Sequence, residues 1–116
     1  MGKVELSISG NSRLLVGVAG AVNHVGEAAG LSDKAREDLV AAVEQACHEA
    51  LDQATDKQAR VALSLEVLPG KIEAVLQYPT AARPAGGSER ALLAKLDDVK
   101  REVNGNSTRL TLIKKI

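Results

Sequence analysis

The spacing of apolar residues changes several times along the chain, and each change marks an element. Val4, Leu6 and Ile8 alternate with Glu5, Ser7 and Ser9, which predicts a half-buried first strand. Gly10 ends it, and Asn11 or Ser12 can cap the helix that follows. Leu15, Val18, Val22, Val25 and Ala29 then keep helical spacing up to Gly30, a C-cap candidate. Gly17, Gly20 and Gly26 weaken this helix, and their expected use is close approach to a neighbouring helix or sheet. Ser32 is the predicted N-cap of a second, longer helix running to about Ala54.

That long helix has two faces. Val40, Val43, Cys47, Ala50, Leu51 and Ala54 form an apolar stripe. Gln45, Glu49 and Asp52 share a different face, and the chemistry rests on it. Beyond a short polar connection, Ala59 to Leu68 and Lys71 to Tyr78 read as strands joined by Pro69-Gly70, an antiparallel hairpin. Pro79 to Gly87 is irregular, broken by two prolines and two glycines. Ser88 caps a predicted third helix with Leu92, Leu93 and Leu96 as its stripe. Val99 to Val103 and Thr108 to Ile116 are the last strands, turning through Asn104-Gly105-Asn106-Ser107. The order β-α-α-β-β-α-β-β, with two tight hairpins, predicts an α+β two-layer sandwich. It has a mixed, mostly antiparallel sheet with helices on one face.

Composition narrows the function classes. A length of 116 residues suits one domain over 1–116 with one core. Tyr78 is the only aromatic residue, so no platform exists for stacking bases. Formal net charge is zero and no basic run stands out, which argues against nucleic acid or an anionic membrane as partner. The longest apolar run, Leu14 to Val22, is too short to span a bilayer. Lys3 and Arg13 before it, and Ala19-Gly20-Ala21 within it, have the flavour of a leader, but the strand alternation of residues 4–8 argues against one. A single cysteine cannot form an internal disulfide, so a reducing, cytoplasmic location is expected.

Several residues taken in order carry a family resemblance. These are Ala29-Gly30-Leu31-Ser32 before an acidic helix start, Leu39-Val40-Ala41-Ala42-Val43 followed by Ala46-Cys47 and Ala50-Leu51, and the closing Ser107-Thr108-Arg109-Leu110-Thr111-Leu112. Over nearly the whole chain this resembles the anti-sigma-factor serine/threonine kinases of bacterial partner-switching systems, small members of the histidine-kinase-like (Bergerat-fold) ATPases. The resemblance implies a long helix carrying a Glu as general base and, four residues on, an Asn that holds magnesium beside ATP. The matching positions are Gln45 and Glu49. Gln45 cannot accept a proton near neutral pH. Glu49 offers carboxylate oxygen that suits magnesium, yet sets a negative charge where the family places triphosphate.

The family's adenine-reading Asp and its spaced glycines have no counterpart after Tyr78, where Pro79-Thr80-Ala81-Ala82-Arg83-Pro84 follows. The lid region, around 79–87, is shortened. Gly86-Gly87 before the third helix is similar to the second glycine box, and a helix start behind glycines can bind an anion with help from Arg83. The nucleotide-binding set that the resemblance implies is therefore Gln45, Glu49, Arg83, Gly86 and Gly87. No catalytic residue is expected, and Glu49 is the one weak metal candidate.

Other constellations read blandly. Cys47 and His48 point about 100° apart on the helix and cannot act on each other; Cys47 reads as an inert core thiol. His24, His48 and Cys47 match no zinc pattern. Glu44, Gln45, Glu49 and Asp52 read as a solvated face or as an acidic surface for a protein partner, and Lys95, Lys100, Arg101, Arg109, Lys114 and Lys115 as solvated charges. The leading expectation is a degenerate, cytoplasmic, anti-sigma-factor-like protein that needs no cofactor. It would work by contact with a sigma factor or an anti-sigma-factor antagonist, or as a homodimer. The alternatives are an active kinase using ATP and magnesium, and an unrelated α+β domain.

Overall fold

The computed structural model describes residues 3–8, 13–53, 61–79 and 92–116. Five strands and two helices occur there: β1 (Lys3–Ile8), α1 (Arg13–Ala28), α2 (Asp33–Gln53), β2 (Val61–Leu68), β3 (Lys71–Pro79), β4 (Asp98–Asn104) and β5 (Ser107–Lys115). The sheet order is β1-β2-β3-β5-β4. Every ladder among the described residues is antiparallel, so the parallel pairing that a mixed sheet allowed for is not among them.

Alternation along the strands sorts the sheet into two faces. Val61, Leu63 and Leu65 of β2, Ile72, Ala74, Leu76 and Tyr78 of β3, and Leu110 and Leu112 of β5 are buried on one face. Val18, Val22 and Val25 of α1, and Leu39, Ala42, Val43, Ala46, Cys47 and Ala50 of α2, complete the same core. The opposite face carries Glu5, Ser64, Glu73, Gln77 and Arg109, and no described helix covers it. The result is a two-layer α+β sandwich.

Both hairpins close as the sequence dictates. Leu68 pairs with Lys71 around Pro69-Gly70, where Gly70 has φ +76°. Asn104 pairs with Ser107 around Gly105-Asn106, where Gly105 has φ +64°. The α1–α2 joint is equally local. The Leu31 N–H donates to the Gly26 carbonyl (3.0 Å), and the Gly30 N–H to the Glu27 carbonyl (3.1 Å). With Gly30 at φ +88° this is a Schellman close. One residue on, Ser32 Oγ accepts from the Ala35 N–H (3.2 Å) and caps α2.

Three expectations change. Gly17 and Gly20 have no described atom within 4 Å of where a Cβ would stand, so neither serves a close approach among the described residues. Gly26 does, with the Arg36 Cγ at 3.0 Å and the Leu31 Cδ1 at 3.3 Å. The third helix falls largely outside the described residues. What is described is one turn, closed by the Leu96 N–H donating to the Leu92 carbonyl (3.0 Å). In that turn Leu92 and Leu96 are buried and Leu93 is 47% exposed, so Leu93 leaves the predicted stripe. The chain then joins the sheet through the Asp97 N–H, which donates to the Ile113 carbonyl (2.9 Å).

Candidate functional site

Topology fixes where α2 carries its polar residues. Ile8 pairs with Val61, and Tyr78 with Thr108, which pairs in turn with Val103. These residues mark one end of the sheet. Helix α1 begins at Arg13, shortly after Ile8, so it starts at that end and runs away from it. The tight joint at Gly30–Ser32 turns the chain back. Helix α2, 21 residues and ~31 Å long, returns over the sheet. Its C-terminal half, with Gln45 and Glu49, therefore lies over the Tyr78–Thr108 end.

The helix flanks are equally determined. Arg36 packs on Gly26, so the Arg36 side of α2 faces α1. At ~100° per residue, Glu49 lies about 140° and Gln45 about 180° around the helix from Arg36. Both thus stand on the flank away from α1. That flank overlooks β5 and β4, because α1 covers β1 and β2 while α2 covers β2, β3 and β5. Both residues are half-buried, a correction to the reading of this face as fully solvated. Asp52 lies within α2, but its side chain is outside the described residues, as are Arg83, Gly86 and Gly87.

The other wall of this groove holds a residue that the sequence reading set among solvated charges. Arg101 sits on β4 opposite Leu110, hence on the helix-covered face. Its guanidinium crosses β5 and its Nη1 donates to the Tyr78 hydroxyl at 3.5 Å. Its Nη2, like Glu49 Oε2, is sealed from solvent. Thr108, fully buried, lies between the two strands. Gln45, Glu49, Tyr78, Arg101 and Thr108 each make a polar, electrostatic or ring contact, so the groove is lined by engaged polar groups. Only the strand register could have revealed Arg101. Its charge looks solvated in a linear reading, and its inward face depends on the β4–β5 turn.

The remaining chemistry is sparse. Burial pushes the Cys47 thiol up to about 12 from its ordinary 9.0, and the Glu44 carboxylate adds to the rise. A thiol so protonated is no nucleophile. His24 and His48 are exposed on α1 and α2. Among the described residues no three His, Cys, Asp or Glu side chains gather as a metal set. A trough of about 510 Å³ does open, but on the uncovered face, over Ser64, Val75, Gln77 and Arg109. It shares no residue with the groove. No described helix is long and apolar enough to cross a membrane.

The described elements form an α+β sandwich, a five-stranded antiparallel sheet with two helices on one face. The chain is similar to the crystal structure of the RsbU and RsbW domains of Rv1364c from Mycobacterium tuberculosis, with a TM-score of 0.81 over 99% of its length. Identity is 13%, and the match spans 32% of that longer chain, so the likeness shows the fold alone. No family model and no curated protein matches the sequence.

Proposed function

We propose that this protein is a catalytically degenerate regulator of the anti-sigma-factor kind, acting by protein–protein contact in partner switching. One observation carries the reading: the face of α2 to which the resemblance assigns phosphoryl transfer bears residues poorly suited to it. At the position where the resembled family keeps a general base stands Gln45, an amide that cannot take a proton. At the magnesium position stands Glu49, and across the groove a guanidinium reaches toward Tyr78 at 3.5 Å. A magnesium–triphosphate does not fit the described residues. Among the described residues no three His, Cys, Asp or Glu side chains gather to hold the metal, and the phosphates would meet the charge of Glu49.

The partner in this reading is a sigma factor or an anti-sigma-factor antagonist, met in the cytoplasm, with self-association as a further contact. An uncovered sheet face and two edge strands, β1 and β4, leave surface for it. Calorimetric titration with Mg-ATP tests the proposal. The expected result is no heat and no thermal stabilisation at millimolar nucleotide. A micromolar dissociation constant overturns it and favours a working kinase, which phosphate transfer to a partner serine, lost in Glu49→Ala, would then establish.

A further inference from the structure

We propose that Arg101 is the built-in counter-charge of Glu49, a positioning residue that ties edge strand β4 to helix α2 across the groove. Two independent lines bring the pair together. The first is elimination. Of the described strand residues on the helix-covered face, only Arg101 and Lys114 are charged, and Lys114 is held at the other end of the sheet, where its Nζ donates to the Lys95 carbonyl at 2.9 Å. On the matching flank of α2, Asp38 belongs to the first turns and pairs with Lys34 at 3.3 Å. Glu49 is the described carboxylate left over the Tyr78–Thr108 end. The second line is reach. Arg101 starts two strands away from Tyr78 and still brings Nη1 to its hydroxyl at 3.5 Å, so the guanidinium lies over β5, beneath the flank that bears Glu49.

Physical chemistry supplies the reason for the arrangement. Glu49 Oε2 and Arg101 Nη2 are both removed from solvent. A charge taken out of water is costly unless an opposite charge stands near, and attraction strengthens as the local dielectric falls. Each therefore offsets the desolvation of the other. The guanidinium does for Glu49 what a bound cation would do, and the groove is electrostatically complete without a ligand. The consequence reaches the sheet edge. Among the described residues strand β4 pairs on one side only, with β5, and in this proposal the Arg101 side chain links it to the helical layer at this end.

A double-mutant cycle on the full chain tests this, reading urea midpoints of Glu49→Gln, Arg101→Met and both together. Arg101→Met keeps the apolar stem and deletes the charge. It is expected to lower the folding equilibrium constant about tenfold in the native background, and much less once Glu49 is Gln. Arg101→Lys keeps the charge and is expected to retain most of the stability that Arg101→Met loses. A loss of equal size in both backgrounds overturns the proposal, and so does Arg101→Lys falling as far as Arg101→Met. Neither Glu49→Gln nor Arg101→Lys changes side-chain bulk enough to prevent folding, so the cycle stays readable. Nucleotide binding is scored separately. Heat on Mg-ATP addition would refute the proposed function and leave this coupling standing, whereas additive midpoints would refute the coupling alone.

Discussion

Raising the pH should destabilise this protein through one buried thiol, and replacing Cys47 with alanine should remove that dependence. Cys47 is fully buried on the core face of α2. Its thiol titrates at about 12 in the folded protein, against 9.0 when exposed. Because the folded value is the higher one, the protonated thiol favours the folded state. Its contribution is fully present below pH 9 and is lost as the pH climbs from 9 toward 12, where the unfolded chain sheds the proton and the folded chain holds it. At about pH 10.5 the gap from the unfolded value is roughly 1.5 units, worth about 2 kcal/mol. The assay is urea denaturation of the native protein and of Cys47→Ala, each at about pH 8 and about pH 10.5. All other ionisable groups are the same in both proteins, and the cavity left by the substitution is indifferent to pH, so these cancel in the difference between slopes. The native protein should lose about 2 kcal/mol more than the variant over this interval. Parallel losses would refute the reasoning, since they would mean that the thiol ionises as readily in the folded chain as in the unfolded one.

Two glycines of the α1 region should respond to alanine with opposite signs. Gly30→Ala forces φ +88° on a side chain and should cost about 1 kcal/mol. Gly20→Ala lies inside α1 with no described atom near its Cβ and should add up to about 1 kcal/mol. Thermal melts read both as shifts of about 4 °C per kcal/mol in opposite directions, and a like-signed pair would contradict the assigned helix end. On the uncovered face Glu66 and Glu73 sit directly opposite each other, with Lys3 beside Glu66 on the other side. Glu73→Lys should therefore raise stability by about 0.2–1 kcal/mol at low salt, and a midpoint that falls would show that this register is wrong.

The elements that the sequence made legible share one property: their signals are local. Alternation over residues 4–8, the Pro69-Gly70 joint and the Gly30–Ser32 joint each involve a few neighbouring residues, and strand and helix limits fell within about two residues of expectation. What stayed hidden depends on register. Arg101 carries the same charge as its neighbour Lys100, and alternation puts one on each face. Which face is covered is settled only when β4 joins β5 at the far side of the sheet. The half-burial of Glu49 was hidden for the same reason. A polar flank reads as solvated until the position of α1 shows that the other flank is the one turned to the helical neighbour. Leu93 failed in the opposite direction, because it lies about 100° around the helix from Leu92, while Leu96 follows Leu92 at i+4 on the buried side.

The likeness to a structure at 13% identity shows that one fold accommodates very different sequences. A two-layer sandwich needs inward-facing apolar residues of suitable bulk, glycine where the backbone turns left-handed, and caps at the helix ends. Many sequences meet those demands, since cores tolerate volume-conserving exchange. A phosphoryl-transfer site demands particular atoms instead, a base within reach of a proton and ligands at metal distance, and an amide in place of a carboxylate abolishes the first outright. The scaffold can therefore outlive the chemistry. In this chain Leu39, Ala46 and Ala50 still hold α2 against the sheet, while the same helix presents Gln45 and Glu49 to a groove whose opposite wall supplies a guanidinium. Fold by itself does not imply catalysis. Under the proposed function, the residues beside α2 point away from it and leave the surface of the sandwich as the working part.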